Sequence, residues 1–133
     1  MSSIEISFVI ASNRPSFLAE FYASFNKVEK LPGMNSDHYV VKLKNGLKIE
    51  FYKPSENQTI EGRGRFSSIC FQKSPTTDPF PILEEWISNM KRLGASITSK
   101  PRSSFFGAEV WVADPDGNNF LILVPSVLNQ VIT

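Results

Sequence analysis

Few side chains in this sequence suit chemistry. Its 133 residues hold one histidine, His38, and one cysteine, Cys70, so a single chain can build neither a Cys/His zinc site nor a disulfide. Cys70 lies in an apolar run and is expected inside a sheet, where a thiol is an inert small hydrophobe. No histidine or helix N-terminus can be argued to activate it as a nucleophile. Asp114, Asp116 and Asn118 match the first three ligand spacings of a calcium loop. Asn119 and Pro125 stand where that loop needs Gly and Glu, so turn chemistry accounts for these residues without an ion. Arg63, Arg65 and Arg102, with Gly62 and Gly64, read as a solvated basic loop, with an anion-binding lid as the functional counterpart. Asn57-Gln58-Thr59 matches a glycosylation sequon by chance. The carboxylates Glu50 and Glu109 and the aromatics Tyr39, Tyr52 and Trp111 remain. Each lies in a strand-like stretch, so the elements that carry them decide what they can do.

The size and the 41% apolar content suit one domain with an ordinary core. Fourteen Lys and Arg against thirteen Asp and Glu give a net charge of +1, which removes the electrostatic case for binding nucleic acid or a membrane surface. No stretch has the apolar length of a membrane span, and MSSIEISFVIAS lacks the cationic start of a secretory signal. A cytoplasmic location is expected.

Ile4 to Ala11 reads as a strand, with Ile6, Phe8 and Ile10 on one face and Ser7, Val9 and Ala11 on the other. Pro15, after a Ser or Asn cap, opens a helix with Phe17, Leu18, Phe21, Tyr22 and Phe25 on one stripe. His38 to Leu43 and Lys48 to Lys53 flank Asn45-Gly46, which predicts a hairpin with a type I′ turn. Pro54 to Gly64 is a polar connection. A second strand (Arg65 to Lys73) follows, then a helix from Pro79 with Ile82, Leu83, Trp86, Ile87, Met90 and Leu93 in phase, ended by Gly94. The helix core thus claims Trp86. A hairpin closes the pattern: Ala108 to Ala113 and Asn119 to Val124, joined by Asp114-Pro115-Asp116-Gly117-Asn118. Short strands are placed at Val28 to Leu31 and Ala95 to Ser99. The copies are offset by 61 residues at Ser7 and Ser68 and by 71 at Gly46 and Gly117, so the second carries extra loop. A duplicated βαβββ unit is the economical account.

Within this pattern, Leu18-Ala19-Glu20-Phe21-Tyr22, Leu47-Lys48-Ile49-Glu50-Phe51-Tyr52 and above all Asp114-Pro115-Asp116-Gly117-Asn118-Asn119-Phe120-Leu121 resemble the vicinal oxygen chelate superfamily. That group holds glyoxalase I, bleomycin-resistance proteins and extradiol dioxygenases, and the resemblance spans Ile4 to Pro125. It implies an α+β fold: two tandem βαβββ modules, about 4–54 and 65–125, forming a cupped mixed sheet with helices on the outer face. Residues 55–64 would link the modules and 126–133 form a tail. The tail's Val127-Leu128 and Val131-Ile132 would pack on the domain or on a second subunit. The family's metal enzymes take ligands from four positions that fall here on Ser7, Glu50, Ser68 and Leu121. Only Glu50 is a ligand of the family type; hydroxyls bind divalent metals weakly and an aliphatic side chain not at all.

Setting residues 44 and 47 opposite each other pairs Val41 with Glu50 and Tyr39 with Tyr52, which sends His38 to the other face as a strand-end surface residue. Symmetric closure of the second hairpin sets Trp111 opposite Leu121 and Glu109 opposite Leu123. The concave face of the implied cup would then carry Ser7, Val9, Tyr39, Val41, Glu50, Tyr52, Ser68, Cys70, Glu109, Trp111 and Leu121.

On an apolar wall Glu50 would have a raised pKa and would bind a cation or take a proton; otherwise it is a relic of the metal site, paired with a nearby Arg, Lys or Tyr. Tyr39, Tyr52 and Trp111 would stack on a planar ligand or simply fill the cup. The expected function is binding of a small organic molecule in the cleft without catalytic metal or other cofactor, in a homodimer. The alternative is a lyase, isomerase or dioxygenase with an atypical divalent-metal site that includes Glu50. A weaker third is a metal-independent enzyme with Glu50 as general base, and a purely structural role is the remaining possibility.

Overall fold

The computed structural model of the chain describes residues 7–54 and 68–127. Its contacts divide the chain into two compact units, Met1–Arg63 and Gly64–Thr133. Each unit holds one sheet and one helix. The start of the first strand, the 55–64 connection with Arg63, the sequon, Arg65 and the tail beyond Val127 lie outside the described residues.

The first unit runs β1 (Ser7–Ala11), α1 (Pro15–Asn26), β2 (Lys30–Pro32), β3 (His38–Lys42) and β4 (Lys48–Tyr52). Its sheet has the order β1-β4-β3-β2, with β1 parallel to β4 and the other pairs antiparallel. α1 covers one face. Leu18, Ala19, Phe21 and Tyr22 bury against Val41, Ile49 and Phe51, and the Tyr22 and Phe51 rings lie 5.3 Å apart. Each large apolar side chain buried in this way contributes about 1.5–3 kcal/mol.

The second unit runs β5 (Cys70–Gln72), α2 (Pro79–Arg92), β6 (Ser96–Ile97), β7 (Arg102–Ser104), β8 (Gly107–Ala113) and β9 (Asn119–Pro125). β5 pairs in parallel with β9, β9 with β8, and both β6 and β7 pair with β8. Leu83, Trp86, Ile87 and Met90 of α2 bury with Val110, Val112, Phe120, Ile122 and Val124. Ile82 and Leu93, expected on the same stripe, stay partly exposed at the helix margins, as does Phe17 of α1. Among the described residues β7 has no counterpart in the first unit, and it occupies part of the extra length of the second copy.

Both helices open on a proline; the first lacks the expected Ser or Asn side-chain cap, and the second has no side-chain cap either. Arg14 and Asp78 hold the N-cap positions with no capping bond. Instead a hydroxyl two residues earlier accepts the N-cap N–H: Ser12 Oγ from Arg14 at 3.0 Å, Thr76 Oγ1 from Asp78 at 3.4 Å. The same device before both helices is a local trace of the duplication.

Candidate functional site

The first hairpin sets the site, and it closes differently from the expectation. The Leu43 N–H donates to the Leu47 carbonyl at 2.8 Å, and the Gly46 N–H to the Leu43 carbonyl at 2.9 Å. Three residues, not two, form the loop, with Gly46 at φ 94° as the left-handed residue that such a loop requires. Asn45 turns inward, its Oδ1 accepting the Leu47 N–H at 3.0 Å. The register is therefore Val40 opposite Glu50, Val41 opposite Ile49, Tyr39 opposite Phe51 and His38 opposite Tyr52.

A slip of one residue exchanges the faces of a strand. Tyr39 and Val41, expected on the ligand face, lie on the side covered by α1, and Val41 is fully buried. His38, expected on the other face, shares the open face with Glu50, Tyr52 and Val40. Parallel pairing of β1 adds Val9 beside Glu50 and Ser7 beside Lys48. The signal for this register was the polar alternation: His38 and Lys42 belong with Lys48 and Glu50, and Tyr39 and Val41 with Ile49 and Phe51.

Glu50 is the centre of this face. The Ser7 Oγ–H donates to its Oε2 at 2.7 Å, and His38 Nε2 stands 3.0 Å from its Oε1. The Met34 N–H donates to His38 Nδ1 at 2.9 Å. A ring nitrogen that accepts carries no hydrogen, so in the neutral ring the proton is on Nε2 and His38 donates to Glu50. The His38 and Glu50 side chains are 14% and 27% exposed. The expected rise in the Glu50 pKa is reversed. The Ser7 hydrogen bond lowers it most, desolvation opposes, and the His38 hydrogen bond and the charge of Lys48 lower it further. Glu50 is an ionised acceptor, ill suited to take a proton.

In the second unit the open face is as the symmetric loop required. Asp114 Oδ1 accepts the N–H groups of Asp116 and Asn118, each at 2.9 Å, and its Oδ2 accepts Asn118 Nδ2 at 2.9 Å. These bonds leave Ala113 opposite Asn119, Trp111 opposite Leu121 and Glu109 opposite Leu123. Trp111 is 39% exposed. Cys70, paired with Leu121, is exposed rather than interior. Partial desolvation and the Glu109 carboxylate push its thiol up, away from the reactive thiolate. Ser68 is exposed just before β5. Arg102, considered above for an anion-binding lid, lies on β7 and holds Glu109 through Nε at 3.1 Å and through Nη2. No sequence pattern marked β7, so this pairing was missed.

The residues present do not fit the metal that the resemblance implies. Glu50 is the one carboxylate among the four positions, Ser7 and Ser68 offer hydroxyls, and Leu121 offers nothing. His38 is near enough to Glu50 to be counted a ligand, but its Nε2 carries the proton. Among the described residues, no three His, Cys, Asp or Glu side chains cluster as a metal site.

No protein-family model matches the chain, and comparison with curated proteins gives no match either. Solved structures do match. A glyoxalase/bleomycin resistance protein/dioxygenase family enzyme from Burkholderia phytofirmans PsJN has a TM-score of 0.73 at 14% identity, over 90% of this chain and 96% of that one. The fosfomycin resistance protein FosX from Listeria monocytogenes has a TM-score of 0.70 at 16% identity, over 99% and 98%. Lactoylglutathione lyase from Agrobacterium tumefaciens has a TM-score of 0.59 at 14% identity, over 93% and 94%. The chain has the fold of these glyoxalase/bleomycin-resistance proteins.

Proposed function

We propose that this protein binds a small organic molecule against the open face of its first sheet without a catalytic metal, in the manner of bleomycin-resistance proteins. The observation that carries this reading is Glu50 held as a carboxylate by Ser7 and His38. An ionised carboxylate has about four lone-pair sites, so acceptor capacity remains for an N–H or O–H of a ligand. Val9 and Val40 flank it with apolar surface, and Tyr52 adds a half-exposed ring. The ligand is then an uncharged or cationic organic molecule with a hydrogen-bond donor. Pairing of two copies, which the resemblance implies, and a cytoplasmic location, which the sequence leads us to expect, belong to the same proposal.

The test is a thermal-shift screen of a small-molecule library in the presence of chelator. At least one compound should stabilise the protein, and Glu50→Gln should remove the shift. Stabilisation only on addition of a divalent metal would favour the second reading, a metal-dependent lyase, isomerase or dioxygenase. The nearness of His38 to Glu50 speaks for that reading. The protonated Nε2 and the leucine at position 121 speak against it.

A further inference from the structure

His38 and Glu50, by residue type, are half of a metal site. The loop before β3 makes them something else. Asn35 accepts the His38 N–H through its carbonyl at 3.1 Å, and the His38 carbonyl accepts the Gly33 N–H at 2.8 Å, so the loop folds tightly over the histidine. Gly33 lies so close that a Cβ on it would come within 2.4 Å of Nδ1, 2.5 Å of Cγ and 2.6 Å of the His38 carbonyl oxygen. Real side chains do not approach that closely, so the ring is seated against bare backbone. The next residue, Met34, leaves its side chain in solvent and turns its N–H onto Nδ1.

We propose that the Gly33–Met34 backbone is a positioning element that fixes His38 as the Nε2–H tautomer and so turns a His/Glu pair into a donor and an acceptor that a metal ion cannot bridge. A histidine that binds metal through Nε2 needs that nitrogen bare, and ordinarily gives its Nδ1–H to an acceptor. Here Nδ1 faces a donor. For His38 to ligate through Nε2, the proton must move to Nδ1, where it meets the Met34 N–H head on. Both the Met34 and the Glu50 hydrogen bonds are then lost. The selectivity lies in a main-chain group, which residue types alone do not reveal. The inference rests on the metal-free reading of Glu50 and adds what enforces it.

His38 is the only histidine in the sequence, so long-range nitrogen–proton NMR of the untagged chain at neutral pH reports this ring alone. The wild type should show a single Nε2–H tautomer. A predominant Nδ1–H form, or a mixture like that of free imidazole, would overturn the proposal whatever the variants do. Met34→Pro removes the donor and Gly33→Ala displaces the ring. In a folded variant the Nδ1–H form should appear and Zn²⁺ should bind roughly tenfold more tightly by calorimetry, the scale of such outer-partner effects. An unchanged tautomer in folded Met34→Pro would also overturn it. A wild type that is Nε2–H yet retains stoichiometric metal contradicts both readings, and one that is Nε2–H and metal-free but stabilised by no small molecule contradicts the proposed function alone. A metal-free wild type in the Nδ1–H form contradicts the positioning role alone.

Discussion

His38 reaches Glu50, at 3.0 Å, because Val40 rather than Val41 stands opposite that glutamate. One residue in the length of a turn thus decides whether the acid faces an apolar wall or a histidine. The same step places Tyr39 under the helix, with Lys30 Nζ 5.3 Å from its ring centre.

The lowered pKa of Glu50 has a signed consequence. An unfolded glutamate titrates at about 4.3, and the native group lies lower. Below about pH 5 the unfolded chain binds the extra proton, so the group's stabilisation is whole above that range and is lost as pH falls through the native value. The urea midpoint of the wild type should fall more steeply between about pH 5 and pH 3 than that of Glu50→Gln. Parallel curves would contradict the hydrogen-bonded carboxylate.

Ser7 supplies the largest part of that shift. Ser7→Ala should cost about 1 kcal/mol in urea unfolding at pH 7, the low end for a hydrogen bond to a charged group at a partly exposed site. It should also raise the Glu50 carboxyl titration seen by carbon NMR. A titration that does not move would show that Ser7 does not hold the acid.

Trp111 lies on the open face and makes little of the core. Trp111→Ala should cost no more than about 1 kcal/mol, far less than the 3–5 kcal/mol of a core tryptophan. It should nevertheless weaken any compound that stabilises the wild type through the second unit. A loss of several kcal/mol would instead make Trp111 a packing residue.

The two hairpins show what was legible in the residues and what was not. The Asp114–Asn118 loop was readable because one aspartate side chain closes it over Asp116 and Asn118, so equal arms give the right register. Asn45-Gly46 suggested a two-residue turn, whereas Lys44 belongs to the loop and Gly46 alone takes the left-handed conformation. From that single residue followed the wrong faces for Tyr39, Val41 and His38. The helices were legible, starts included, from Pro15, Pro79 and their apolar stripes; the bonds of Ser12 and Thr76 to the N-cap N–H groups were not. β7 was illegible because Arg102-Ser103-Ser104 has no apolar pattern and exists by pairing with β8. The Met34 contact to His38 is main chain, which no side-chain motif encodes.

In the proposed function Glu50 serves as a hydrogen-bonded acid and not as a metal ligand. The direct measurement is elemental analysis of the untagged protein, purified without chelator and desalted. The expected result is transition metal far below one ion per chain, unchanged in Glu50→Gln. About one ion per chain, lost on that substitution, would contradict the account.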